Sequence, residues 1–262
     1  SLSIKNYMLN SLNFCKNRIY RIPSNFLSHF KKLKYADFTE NKIVTIDSDA
    51  FLNLINLEYL NLSSNLISNI SSFAFTDLIK VKLLDLSRNN ISHLNSSLFE
   101  SLASLELLDL SDNILEIINA YQFSQLFNLI DLNLSHNRIR YIEQYSFKNL
   151  NKLSNLNLNH NLIEKINKYG IFNYMKNIFI PVNSLKTNET LSNILESIKV
   201  RIFKISSIEF IHYYESIDIL FETEKYTNFN CLSIIFMIKR MIHLNLKTED
   251  NLQKFTKYCR EF

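Results

Sequence analysis

A motif returns along this chain every 24 residues, and it limits the possible folds more than any other feature. Leu57-x-x-Leu60-x-Leu62-x-x-Asn65-x-Ile67 reappears as Val81, Leu84, Leu86, Asn89 and Ile91. It reappears again over Leu105–Leu115, Leu129–Ile139 and Leu153–Ile163, and earlier over Leu33–Ile43 and Leu9–Ile19. The pattern stays in phase from Leu9 to Lys176, which makes seven units. A unit this short cannot bury its own apolar residues. Stacking supplies neighbours on both sides, so the sequence predicts a solenoid with one continuous core.

Within each unit, counted from position one at Leu57 and its equivalents, apolar and polar residues alternate around positions three to six. That is the period of a strand with one buried face. Equivalent strands one unit apart are expected to pair in parallel, with the rest of the unit as the return path. Position nine is Asn in every unit: Asn17, Asn41, Asn65, Asn89, Asn113, Asn137 and Asn161. An Asn side chain both donates and accepts, so it satisfies turn backbone groups that regular structure leaves unpaired.

The second half of the unit repeats as well. Phe51, Phe75, Phe99, Phe123 and Phe147 recur, each followed three residues later by Leu54, Leu78, Leu102, Leu126 and Leu150. These two half-patterns resemble the leucine-rich repeat family in its 24-residue typical form, over about two-thirds of the chain. The resemblance implies an α/β fold: a right-handed horseshoe with a parallel sheet on the concave side, short turns outside, and a stacked Phe spine. The subtype is similar to Toll-type ectodomains, neural adhesion proteins and insect leucine-rich-repeat immune proteins. It implies an extracellular, secreted protein that binds a protein ligand or receptor, with a glycan as the alternative.

Composition sets further bounds. The formal charge of +4 is too small to argue for nucleic acid or a membrane surface, and no apolar run reaches the ~18 residues a membrane span needs. The single glycine, Gly170, excludes glycine-rich phosphate loops and a nucleophile elbow. No Cys or His grouping has zinc-ligand spacing, so neither a cofactor nor enzymatic activity is expected. Six Asn-x-Ser/Thr sequons occur, at Asn61, Asn69, Asn90, Asn95, Asn133 and Asn188, in keeping with a secreted glycoprotein. No signal peptide opens the chain, so Ser1 is expected to be the start either of a processed form or of an expressed fragment. Of three cysteines, Cys231 and Cys259 are placed to close a loop worth roughly 3–4 kcal/mol on the chain-entropy model. Cys15 takes position seven, where other units carry Ser, Thr or Asn.

Regularity weakens at both ends. Residues 1–8 are too few for a large cap over the first strand. After Lys176, Asn177–Asn183 keeps the strand spacing as a degenerate eighth unit with Pro181 in it, so the solenoid is assigned to 1–187. Residues 188–262 are expected to form a C-terminal cap and helical tail. Leu191, Ile194, Leu195 and Ile198 stand at helical spacing, and 200–205 and 217–221 read as short strands. An apolar segment over 232–246 precedes a last helix that begins after Thr248. A cap and a dimerisation element are both consistent with that tail.

Fixed phase lets outward positions be aligned. Position two reads Asn10, Lys34, Glu58, Lys82, Glu106, Ile130, Ser154, an alternating charge ladder that neutralises itself. Position three places Tyr35, Tyr59, Leu83 and Leu107 in a row, and exposed aromatic and apolar rows are what binding hot spots use. Position five is all Asp or Asn, and Asp85 and Asp109 lie on adjacent strands, where like charges cost energy unless a donor or cation is near. These six residues are the candidate ligand-binding set, although Asp and Asn are also habitual at position five of the family. Position eight sets Arg88 beside Asp112 and His136 beside His160; two His make a poor metal site, and a solvated pair is the simpler reading. The sequons Asn61 and Asn133 also point outward, and glycans there would push binding to a flank or the tail. The main functional expectation is a secreted recognition protein, plausibly in innate immunity. The alternatives are a structural protein that forms a homo- or heterodimer through its tail, and the truncated ectodomain of a cell-surface receptor.

Overall fold

A computed structural model describes residues 9–163 and the backbone of two further strands, Lys165–Ile166 and Asn177–Phe179. The central feature is an eight-stranded, all-parallel sheet whose strand order follows the chain without a crossing. Its strands are Ser11–Asn13, Tyr35–Asp37, Tyr59–Asn61, Leu83–Asp85, Leu107–Asp109, Asp131–Asn133, Asn155–Asn157 and Asn177–Phe179. Tyr59 pairs with Leu83, Leu60 with Leu84 and Asn61 with Asp85, and the strands from Ser11 to Asn157 all keep that 24-residue register. The expected solenoid is therefore what forms. Position four points inward and is buried, from Ala36 and Leu60 to Leu156, while positions three and five face out.

Behind the sheet, the Leu and Ile columns form one continuous buried cluster with the Phe spine. Phe51 and Phe75 stack at 6.0 Å between ring centroids, Phe99 and Phe123 at 5.7 Å, and Phe123 and Phe147 at 6.0 Å. The first coils build this region differently. Leu27 stands where later coils have Phe, and the aromatic volume moves to position six, where Phe14 stacks on Phe38 at 5.0 Å. Phe38 in turn meets Phe51 edge-on at 6.3 Å, so the spine bends across the coil instead of ending. Small Ala36 at position four leaves room for large Phe38 at position six, a volume-conserving exchange within one coil.

The Asn column performs the predicted task through bonds both within and between coils. Asn89 Nδ2 donates to the carbonyls of Leu62, Leu86 and Ser87, each at 3.0 Å, and its Oδ1 accepts from Ile67 N at 2.9 Å. Asn41, Asn65, Asn113, Asn137 and Asn161 repeat the arrangement. Asn17, in the first coil, is exposed and donates only to Phe14 and Cys15 of its own turn. The residue before each Asn is held at positive φ: Lys16, Glu40, Ser64, Arg88, Asp112, His136 and His160 lie between 52° and 57°. None is glycine, and each carries an order-of-1 kcal/mol backbone cost. That turn aims amides at the next coil, as in Ser64 N to Ser87 O at 3.0 Å and Arg88 N to Ser111 O at 2.9 Å.

Two features depart from the sequence reading. The return path was expected to hold only irregular or short helical turns, yet it carries two short parallel ladders. One joins Arg21–Ile22, Thr45–Ile46 and Asn69–Ile70; the other joins Ile117–Ile118, Tyr141–Ile142 and Lys165–Ile166. Buried Ile22, Ile46, Ile118 and Ile142 anchor four of these two-residue strands, and Ile70 packs half-buried in a fifth. Between the ladders a 3-10 turn, Ser96–Phe99, replaces the usual bend; Asn95 caps it and Gln122 Nε2 donates to Leu94 O. The second departure is a correction. Asn177 was read as position one of a degenerate eighth unit, but it pairs with Asn155, a position-three residue 22 positions earlier. A two-residue shift keeps the same side chains on the same face, so the sheet tolerates it. Followed along the sequence, the new phase sets Met175, Ile178, Ile180, Asn183 and Leu185 at positions one, four, six, nine and eleven. The last unit thus keeps the apolar and Asn spacing, departs from it with Phe179 at position five, and starts 22 residues after the seventh. The proposed cap, the domain boundary after residue 187, Cys231, Cys259 and Asn188 lie outside the described residues.

Candidate functional site

The outward sheet face is built from columns that the register brings together. Tyr35 and Tyr59 are directly paired, 48% and 39% exposed, with ring centroids 6.2 Å apart at a 40° tilt. Leu83 and Leu107 continue the row in register but are half-buried. The four candidates therefore form one stripe across four adjacent strands, with its aromatic end the more open. Asp131 follows in the same column and accepts from the Asn155 amide.

Position two borders the stripe and pairs as its alternating charges require. Lys34 Nζ lies 2.9 Å from Glu58 and Lys82 Nζ 3.7 Å from Glu106. The hydrogen bond from Lys34, with the charges of Lys34, Lys82 and Lys80, holds the Glu58 carboxyl below its ordinary range, and partial burial opposes the shift. Lys34 is raised by the same bond and charge. Position eight pairs in the same way, Lys16 with Glu40 at 3.9 Å and Arg88 with Asp112 at 4.0 Å. The His136 and His160 rings stack at 4.1 Å, and among the described residues no group of three or more His, Cys, Asp or Glu comes together.

Position five has a structural task that the sequence reading did not identify. Each Asp or Asn accepts from the backbone amide two residues on: Asp85 from Ser87 at 2.9 Å, Asp109 from Ser111 at 2.8 Å, Asn61 from Ser63 at 2.9 Å. This is an Asx turn at the end of each of the first seven sheet strands, from Asn13 to Asn157, and it accounts for the restriction to two residue types there. The donors expected near Asp85 and Asp109 are these amides, together with Asn133 Nδ2 at 3.1 Å from Asp109. The recurring spacing to Ser, Thr or Asn at position seven was the signal for it. Asn61 and Asn133 are half-buried sequons whose Oδ1 atoms hold this turn, and Asn133 also spends its amide on Asp109. Asn69 and Asn90 are exposed, and exposed Asn95 caps the 3-10 turn and donates to Ser72. Cys15 is half-buried and unbridged.

A family model for the leucine rich repeat matches residues 8–67, 55–115 and 112–163, together more than half of the chain. No curated protein matches. Among solved structures, the chain is similar to the crystal structure of the TLR13-ssRNA13 complex, with 29% identity and a TM-score of 0.63. That likeness covers 66% of this chain and 24% of the other, so the chain spans about a quarter of the length of that structure's protein. Its repeat, its parallel solenoid and its Asn ladder lead to one assignment: the chain belongs to the leucine-rich repeat family.

Proposed function

We propose that this solenoid is an extracellular recognition module that binds a protein partner across its sheet face, through the Tyr35, Tyr59, Leu83 and Leu107 stripe. The observation that carries this reading is the paired, solvent-exposed Tyr35 and Tyr59 at the open end of an in-register apolar row. Aromatic side chains on a rigid sheet bring contact area at low entropic cost. The position-two charges on one side of the stripe are matched within the face, Lys34 with Glu58 and Lys82 with Glu106. A role in innate immunity follows by likeness to the Toll-like receptor structure, and a glycan remains the alternative ligand class. The RNA in that structure belongs to that protein. The sheet face here carries carboxylates at positions three and five, which oppose a polyanion. The reading is one of binding, in keeping with a family that is generally not enzymatic.

Secretion is tested by expressing the chain behind a signal sequence in eukaryotic cells and digesting the product with an N-glycosidase. Mobility shifts that map to exposed Asn69 and Asn90 support the extracellular reading; an unmodified chain argues against it. For binding, affinity capture with the intact chain from extracellular fluid supplies the partner. Tyr35→Ala combined with Tyr59→Ala is then expected to weaken that complex at least about tenfold, the scale of hot-spot truncation. Unchanged binding rejects the stripe.

A further inference from the structure

The charge pattern of the sheet face specifies what kind of partner suits it. Its outer columns cancel internally: Lys34 with Glu58, Lys82 with Glu106, Lys16 with Glu40, and Arg88 with Asp112. Its inner columns, positions three and five, contain four ionisable carboxylates, Asp37, Asp85, Asp109 and Asp131, and no Lys, Arg or His. None of the four forms an ion pair among the described residues. The turn fixes one oxygen of Asp37, Asp85 and Asp109 on a backbone amide. Beside Asp37, Asp85 and Asp109 runs the Tyr and Leu stripe, two residues away on the same strands, and Asp131 continues the stripe's own column. The inner face is therefore apolar along one column and anionic along the next, although the whole chain carries +4.

We propose that the occupant of this face is an extended, basic polypeptide segment in which Lys or Arg alternates with apolar or aromatic residues. This rests on the stripe being the binding site. Four strands spaced about 4.8 Å apart present about 14 Å of stripe, the reach of about five extended residues at roughly 3.3 Å each. Successive side chains of such a segment point to opposite sides, so a segment lying between the two columns turns its apolar residues towards Tyr35 to Leu107 and its basic ones towards the neighbouring carboxylates. Lys or Arg also gains from the exposed Tyr faces as a cation over a ring. A polyanion meets only repulsion along the same track, and a neutral sugar leaves the carboxylates unmatched.

The test uses the full chain and a fluorescein-labelled heptapeptide alternating lysine with leucine and tyrosine, read by fluorescence anisotropy. The key variant is Asp37→Asn with Asp85→Asn and Asp109→Asn. Asn already occupies position five in Asn61 and Asn133 and accepts the same turn amide there, so the variant removes charge and keeps the fold. Circular dichroism of the variant is the check on its fold. The expected result is measurable binding by the native chain, at least a tenfold loss in the triple variant, and a comparable loss for the native chain in 0.5 M salt. Tighter binding of the glutamate-for-lysine peptide, or of a single-stranded oligouridylate, overturns the proposal, as does no binding of the lysine peptide. If Tyr35→Ala with Tyr59→Ala abolishes binding while the triple variant binds like native, only the basic-partner inference falls. If the Tyr variant binds like native, the stripe reading falls with it.

Discussion

Replacing Asn89 with Ala removes four hydrogen bonds from the middle of the stack, and the structure allows their loss to be sized separately. Ile67 N donates to Asn89 Oδ1 at 2.9 Å, is buried, and is given no second acceptor. Orphaning a buried amide costs about 1–3 kcal/mol. The three carbonyls fare better, because each has a second donor. Leu62 O keeps Asn65 Nδ2 at 3.1 Å, Leu86 O keeps Asn113 Nδ2 at 3.0 Å, and Ser87 O keeps Ser64 N at 3.0 Å. Each of these losses belongs at the low end of the net value of a hydrogen bond, about 0.5 kcal/mol. The total is therefore about 2.5–4.5 kcal/mol, and Ile67 is its largest single part.

Two comparisons make this figure refutable. Asn17→Ala removes only two exposed bonds within its own turn, so it is expected to cost less than about 1 kcal/mol. Asn89→Asp keeps the acceptor for Ile67 but turns an oxygen towards three carbonyls. Burial and that repulsion raise its folded pKa above the unfolded value, so the variant is at least as unstable as Ala at neutral pH. It regains stability as the pH falls through the raised pKa. Urea denaturation followed by circular dichroism gives the energies. Native-state hydrogen exchange at Ile67 gives the site, which matters because repeat proteins open locally. A cost for Asn89→Ala below about 1 kcal/mol, or equal to that of Asn17→Ala, would show that the ladder is not what holds the coils in register.

Other consequences follow from neighbouring positions. Ser64 sits at φ 54°, so Ser64→Gly is expected to change stability by about 0 to +1 kcal/mol, the relieved strain being offset by chain entropy, whereas Ser64→Val destabilises by more than about 1 kcal/mol; thermal melts separate the two. Ala36→Leu overpacks the site beneath Phe38 and is expected to cost about 1–3 kcal/mol. Adding Phe38→Leu, which restores the pairing of Leu60 with Leu62, is expected to recover part of it, and a double-mutant cycle reads the coupling. Glu58, with its pKa lowered, contributes stability above its unfolded pKa that is lost as pH falls through the folded value; Lys34, with its pKa raised, loses its contribution as pH rises through its own folded value. Lys34→Ala is expected to move the Glu58 titration upward by carboxyl-resolved NMR, and an unmoved titration rejects the ion pair as its cause.

Periodicity made the solenoid legible because one constraint, burial between identical neighbours, acts on every coil alike. Leu60, Leu84 and Leu108 are interchangeable solutions to the same packing problem, so each supports the reading of the others. Where a coil solves it differently, the sequence gives a weaker signal. Leu27 looks like a gap in the Phe spine until Phe14 and Phe38 are seen to fill the same volume from the strand side. The shortened seventh coil misled for a related reason. A 22-residue step preserves inward and outward alternation, so Asn177 and Ile180 look acceptable in either phase, and only the pairing with Asn155 decides.

The site was legible to a smaller degree, because surface positions answer to two demands at once. Position five had to be Asp or Asn for the turn, which hid whether its charge also mattered. The structure separates the demands: Asn61 and Asp85 make the same bond to the amide two residues on, so the bond cannot be what selects the carboxylate. At positions two and eight the charge is explained by a partner one coil away, as between Lys34 and Glu58. At Asp37, Asp85 and Asp109 the turn explains the side-chain shape and no cation explains the charge. That residue of unexplained charge, lying beside the only paired exposed tyrosines on the described sheet face, is the part of this surface that still calls for a partner.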